Sequence, residues 1–407
     1  MNNILEATLQ IKDNNIIWDD RVQEKIFKKR KSLFYSATYT HKPEFCAVCG
    51  CVSQNNNIVK NGTKTSRITL CSVSGLPAYL NLRKQRFLCR ECGSSFTADT
   101  SRIVEKHCHI SKRLKNEIKS KISETVSETY IAKETNVSVH TVRRIIDDTA
   151  RLLTIKPLHD LPEHLCFDEF KSVKSSDSNM SFIICDSTTH KLVDIVRDRE
   201  SYSLKRYFHR FEPKSRLKVK TISIDMYLPY IQLIKEMFPN AKIIIDPFHI
   251  VQALNRELNR TRVRVMNKHR YKLFESFITS KGIVDYILEN NPSLNNDYDV
   301  VHSLRECIQA RDYVELKETI EATTHLDLST GLKRVLKTLI TYPPYIQNTC
   351  EHPTRTNGPI EGINNKIKVL KRNAYGFRNY YHFRNRIILI TKMFGPKQKG
   401  IKQKLVT

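Results

Sequence analysis

The stretch Leu165-Cys166-Phe167-Asp168-Glu169-Phe170 decides the fold. It is a short apolar run broken by two acids, and such runs read as strands buried in a sheet. Two more runs follow, Ser181-Phe182-Ile183-Ile184-Cys185-Asp186 and Lys191-Leu192-Val193-Asp194-Ile195-Val196. Ser187-Thr188-Thr189-His190 separates them, which predicts a hairpin. Ser203 to Phe211 predicts a helix. Val219-Lys220-Thr221-Ile222-Ser223-Ile224-Asp225 predicts the next strand, Tyr230 to Phe238 a helix, and Ala241 to Asp246 another buried strand. Strands alternating with helices predict an α/β sheet. The 114 residues between Asp246 and Glu361 are mostly helix-forming and show no clear run of strands, so they read as a helical insertion.

The acids in this pattern carry the chemistry. Asp168 interrupts one apolar strand and Asp225 ends another. Glu361 lies far downstream in Asn357-Gly358-Pro359-Ile360-Glu361-Gly362-Ile363-Asn364-Asn365-Lys366, and residues 362–407 hold twelve Lys or Arg and no Asp or Glu. A carboxylate at a strand's C-terminal edge faces the usual ligand crevice of an α/β sheet. A pair of divalent ions about 4 Å apart needs carboxylates from several elements. Three acids beside a basic surface therefore suggest metal-assisted phosphodiester chemistry. Taken singly, each Asp reads better as a cap of a helix or turn. In Asp246-Pro247-Phe248-His249 an acid and a histidine lie three apart at a strand-to-helix junction. They either tune the metal site, bind a DNA strand, or cap and pack locally. Asp186, Asp194 and Asp198 read as turn or surface acids.

Upstream the texture differs. Residues 1–40 are mixed; Ile16-Ile17-Trp18 suggests a strand, and Lys25 to Ser32 a basic arm or helix. Residues 41–105 carry Cys46-Ala47-Val48-Cys49 and Cys89-Arg90-Glu91-Cys92, each followed by a glycine, Gly50 or Gly93. Two such knuckles supply four thiolates for a closed, structural zinc site. The alternative is redox-active or merely buried thiols. The 39-residue gap between knuckles needs an inserted hairpin, for which Ile68-Thr69-Leu70 and Tyr79 to Arg83 supply strands and Gly75-Leu76-Pro77 a turn. Cys51, Cys71 and Cys108 read as ordinary thiols, with His107 or His109 as a possible replacement ligand. Residues 110–156 read as helical. Thr129 to Thr135, a turn at Asn136-Val137-Ser138, and Val139 to Ala150 suit a helix-turn-helix, with Ser138, His140, Thr141, Arg143 and Arg144 facing DNA. Two helices merely packed together would show the same pattern. Pro157 and Pro162 bracket a linker.

Composition fits a polyanionic partner. There are 68 Lys+Arg against 42 Asp+Glu, a net charge of +26, and nucleic acid is the commonest ligand of such a chain. A basic RNA-associated protein would share this charge. After Glu361, Lys366, Lys368, Lys371, Arg372 and Arg378 suit phosphates. So do Arg384 and Arg386. Tyr375, Phe377, Tyr380, Tyr381 and Phe383 either stack on unpaired bases or fill the core. No apolar run approaches the length of a membrane span, and the N-terminus has no signal-peptide pattern. Eleven cysteines then read as thiols or metal ligands of a cytoplasmic chain.

The zinc knuckles, the helix-turn-helix, Phe167-Asp168-Glu169-Phe170, Ile224-Asp225-Met226, Asp246-Pro247-Phe248-His249 and the Asn357–Asn365 stretch occur in an order that resembles the ISL3 family of bacterial insertion-sequence transposases, within the DDE superfamily. Its most specific part runs from Glu361 through Lys371-Arg372-Asn373-Ala374-Tyr375-Gly376-Phe377-Arg378-Asn379. The resemblance implies an α/β, RNase H-like mixed sheet with a helical insertion, preceded by a small zinc-binding domain and a helix-turn-helix. It divides the chain into an arm (1–40), a zinc-binding domain (41–105), a helix-turn-helix (106–156), a first catalytic part (157–250), an insertion (251–350) and a C-terminal part with the glutamate and a basic tail (351–407). It implies Asp168, Asp225 and Glu361 as a triad for Mg²⁺ or Mn²⁺, with Asp246 and His249 as an accessory element. It implies terminal inverted repeats and target DNA as partners, cleavage followed by strand transfer, and a dimer or larger synaptic assembly. The competing functions are a non-catalytic zinc and helix-turn-helix regulator and a structure-specific nuclease.

Overall fold

The computed structural model describes residues 2–41, 43–154, 160–175, 179–276, 286 and 288–393; Pro157 of the expected linker and the basic tail beyond residue 393 lie outside them. The chain forms two compact units. One comprises Met1–Leu153, Val369–Phe377 and Tyr381–Thr407, the other Thr154–Lys368 and Arg378–Tyr380.

In the first unit a short helix, α1 (Asn2–Leu9), precedes six strands: β1 (Ile16–Trp18), β2 (Gln23–Phe27), β3 (Arg30–Tyr39), β4 (Ile58–Thr69), β5 (Ala78–Cys89) and β6 (Ser95–Thr97). They make one mixed sheet of order β1-β3-β5-β4, with β2 added to β3 and β6 to β5. β3 and β5 are parallel, and the other pairs are antiparallel. Lys25 to Ser32 is neither arm nor helix. It is the β2–β3 hairpin, turning at Lys28 and Lys29, both at positive φ. Its surface lysines obscured a strand whose Tyr35, Ala37 and Tyr39 bury one face in the core. The expected hairpin between the cysteine knuckles is β4–β5, paired from Ile58↔Cys89 to Thr69↔Tyr79.

Three helices follow, α2 (Lys112–Lys121), α3 (Glu128–Glu134) and α4 (Val139–Leu153). Ser111, Ser127 and Ser138 each accept a main-chain N–H three residues on, at Leu114, Tyr130 and Thr141, which fixes where the helices begin. Leu114, Ile118, Ile131, Ala132, Val142, Ile145, Ile146 and Ala150 form their shared core, and Leu389 joins it from the C-terminal helix Tyr380–Lys392.

The second unit is built on β7 (His164–Lys171), β8 (Met180–Asp186), β9 (Leu192–Val196), β10 (Thr221–Ile224) and β11 (Lys242–Ile245), in the order β11-β10-β7-β8-β9. β7, β8 and β9 form an antiparallel meander, while β10 and β11 run parallel to β7. This is the RNase H-like mixed sheet that the resemblance implied. Helices α5 (Ser201–Phe208), α6 (Pro213–Leu217) and α7 (Leu228–Met237) connect the strands. Phe167, Phe182, Phe208 and Phe238 pack together in the core, with the rings of Phe208 and Phe238 4.9 Å apart. Asp194 is no surface acid: it is buried in β9 and accepts the Tyr207 hydroxyl at 3.0 Å.

After β11 come α8 (Pro247–Ser276), α9 (Pro292–Ala310), α10 (Tyr313–Ala322), α11 (Thr330–Thr341), α12 (Pro343–Glu351) and α13 (Gly358–Asn373), then α14, the Tyr380–Lys392 helix. Val301, Leu304, Leu316, Leu332 and Leu339 from this helical segment join the sheet's own core. The segment is thus continuous in packing with the sheet. Among the described residues no helix is long and apolar enough to cross a membrane.

Candidate functional site

Strand register places the first two acids. Ser223 of β10 pairs with Cys166 of β7, so Asp225 and Asp168, each two residues further on, are level on neighbouring parallel strands and point to the same side. The Asp168 carboxyl is pushed up to about 7, chiefly by burial and next by repulsion from Asp225. Asp168 accepts the Glu169 N–H at 2.7 Å and the Asn364 amide at 2.9 Å. Asp225 lies 2.8 Å from His249 Nε2, and this contact raises the histidine's pKa. Asp246 follows β11, is buried, and is raised by that burial. It accepts the Phe248 N–H at 3.3 Å, capping α8, and so aims His249 from the first turn toward Asp225.

These groups border a cavity of about 280 Å³ lined by Asp168, Glu169, Asp225, Met226, Tyr227, Tyr230, His249, Ala253 and Arg256. Sequence reasoning missed one wall of it. Arg199 donates to both Glu169 oxygens at 2.8 and 2.9 Å, and Tyr230 donates to Glu169 at 3.1 Å. One guanidinium nitrogen, Nη1, is thus shared between both oxygens, and this charge-assisted contact balances the Glu169 charge next to Asp168. Only the position of Glu169 beside Asp168 in the sequence pointed to it.

Glu361 is an exposed residue in the first turn of α13. The Asn357 amide, at the start of this helix, donates to Phe167 O at 3.1 Å and approaches Asp225 at 3.4 Å. Asn364 holds Asp168. Positions 357, 361 and 364 are spaced by four and three, which puts them on one helix face. Thus two asparagines tie the face bearing Glu361 to the two aspartates. The three acids are not drawn to one point, however. Among the described residues, the four cysteines are the group whose ligand atoms all lie within 4.8 Å of one another. Asn357 Oδ1 and Asn364 Oδ1 are buried without a hydrogen-bond partner. The asparagine spacing around Glu361 was legible, but its meaning was not.

Cys46, Cys49, Cys89 and Cys92 converge with Cys46–Cys92 and Cys49–Cys89 sulfur distances of 3.8 Å each. Gly50 and Gly93 take φ of +74° and +68°, a conformation that lets each knuckle turn back on itself. Ser94 hydrogen bonds lower the Cys92 thiol to about 6, which favours a thiolate ligand. The donor set fits structural zinc. Cys51, expected to be ordinary, has its sulfur 3.5 Å from that of Cys89. Neither His107 nor His109 is in the cluster.

On α4, Ser138 and Thr141 bond each other at 3.0 Å, and Ser138 also caps the helix. Arg143 is held by Glu128 at 2.8 Å. His140 and Arg144 are exposed. Lys366, Lys368, Arg372 and Arg378 are exposed, and Lys371 is half-buried with its ammonium over Phe383. Tyr380 and Phe383 are core residues, whereas Tyr375 and Tyr381 are exposed. Arg386 is not a phosphate contact: it is fully buried and donates to the carbonyls of Ile122, Glu124 and Val126.

A family model described as transposase, of the ISL3 DDE type, matches residues 165–387. A second, described as zinc-finger of transposase IS204/IS1001/IS1096/IS1165, matches residues 42–92. The transposase for insertion sequence element IS1001 from Bordetella parapertussis is 25% identical over 373 residues, 84% of this chain and 88% of that protein. A protein named ATP-dependent protease from Lactococcus lactis subsp. lactis is 38% identical over 112 residues, 28% of this chain. The match spans only 35% of that relative's length.

Proposed function

Since the chain belongs to the ISL3 family of transposases, we propose that it cuts and rejoins DNA by divalent-metal chemistry at Asp168, Asp225 and Glu361. The observation that carries this reading is the level placement of Asp168 and Asp225 on adjacent strands, with the helix of Glu361 bonded to both. A carboxyl, Asp168, whose ionisation burial and the neighbouring Asp225 make costly, beside two buried amide oxygens without partners, suits a cation. Mg²⁺ or Mn²⁺ held there supplies Lewis-acid activation of water or a 3′-hydroxyl and stabilises the leaving oxygen.

The chain's own residues do the rest. Asp168 and Asp225 hold opposed negative charge at a fixed spacing, and Glu361 adds a third carboxylate from α13. His249 orients Asp225 by its 2.8 Å contact. Arg199 keeps Glu169 neutralised, so the charge facing the cavity is concentrated on the aspartates. Cleavage at an element end frees a 3′-hydroxyl, and that hydroxyl attacks target DNA in line. The zinc region and α4 bind the terminal inverted repeats through His140 and Arg144, with Ser138, Thr141 and Arg143 supporting the helix. Lys366, Lys368, Lys371, Arg372 and Arg378 contact phosphates. Paired ends call for a dimer or larger assembly.

The test uses duplexes carrying the DNA ends that flank the gene. Wild-type protein with Mn²⁺ should nick them and join pre-cut ends to a plasmid. Asp225→Asn should lose both, by more than the roughly 100-fold typical of a supporting partner. Nicking without joining would favour a nuclease. Tight binding with no nicking in either protein would favour a regulator.

A further inference from the structure

We propose that Asn364 belongs to the cation site itself, its amide carbonyl serving as an oxygen ligand beside Asp168. This rests on the triad reading above. The Asn364 amide nitrogen lies 2.9 Å from Asp168 Oδ2, while its oxygen is buried and has no hydrogen-bond partner. A buried carbonyl left unpaired is costly, and native structures rarely keep one without a reason. Hard divalent ions accept amide oxygens as ligands alongside carboxylates.

The side chain has both options on one planar group. With no cation, an N–H is the favourable neighbour of a carboxylate. With a cation on Asp168, the N–H faces positive charge and the oxygen becomes the better partner. A half-turn of the amide exchanges the two.

Asn357 does not share this freedom. It is 4% exposed, and its nitrogen also donates to the main-chain carbonyl of Phe167 at 3.1 Å, a bond that fixes its orientation whatever occupies the site. Asn357 is therefore a positioning residue for Asp225, and Asn364 the one able to turn. Asn364 also lies three residues after Glu361 on the same helix face, so its contact with Asp168 keeps that face of α13 beside the site.

The experiment measures Mn²⁺ affinity of the full-length, zinc-loaded protein by the electron paramagnetic resonance of free Mn²⁺. Asn364→Ala should bind Mn²⁺ about 10-fold more weakly or worse, with unchanged zinc content and thermal midpoint. A crystal structure of the wild type with Mn²⁺, located by anomalous scattering, should place Asn364 Oδ1 within about 2.4 Å of the ion. Wild-type affinity in Asn364→Ala, or an amide nitrogen still on Asp168 with Mn²⁺ bound, would overturn the proposal. Asp168→Asn is the separate control. If it too binds as the wild type does, the triad reading falls and this inference with it.

Discussion

Asp168 shows how a single carboxyl records its surroundings. Its pKa of about 7, against an ordinary 3.8, follows from burial and from Asp225. Between about pH 4 and 7 the folded, metal-free protein therefore holds a proton that the unfolded chain has released. Stability contributed by this group falls as pH rises through that window. The thermal midpoint of metal-free wild type should decline from about pH 4 to 7, and Asp168→Asn should show a shallower decline. Metal binding has the opposite dependence, since a proton competes with the cation. Mn²⁺ should raise the midpoint more at about pH 8 than at about pH 6, and calorimetry across that range checks both slopes.

The two arginines of α4 that the sequence pattern turns toward DNA divide by their neighbours. Glu128 on α3 holds Arg143, and Arg144 is exposed. Arg144→Ala should lower the slope of log affinity against log salt by about 0.9, one phosphate contact, and Arg143→Ala by less. Fluorescence anisotropy on an end duplex at several salt concentrations separates them. The zinc cluster governs another element, the β4–β5 hairpin closed at its base by both knuckles. Structural zinc contributes on the order of 10 kcal/mol in small sites. Cys49→Ser, or prolonged chelation, should release the metal and open residues 46–92 to proteolysis, with mass spectrometry locating the first cut.

Over the whole molecule, the N-terminal segment and the described part of α14 build one unit. Leu389 completes the core of the three-helix region near residue 130, and Arg386 satisfies three carbonyls around Glu124. Burial lowers even this guanidinium to about 10. Arg386→Met would leave those carbonyls unpaired and should destabilise the unit by about 3 kcal/mol or more, read by urea denaturation. The sequence alone determined the local texture: apolar runs marked β7 to β11, paired CxxC turns marked the cysteine cluster, and charge marked the partner class. Each signal is short-range, set by a residue and its near neighbours. It did not reveal the β2–β3 hairpin, where turn lysines hide the alternation. Nor did it show that Arg386 is interior rather than a phosphate contact, because that depends on carbonyls some 260 residues away. The level pairing of Asp168 with Asp225, and the two asparagines fastening the Glu361 helix to them, were likewise decided only by tertiary structure, since strand register and helix docking join residues that no spacing in the chain brings together.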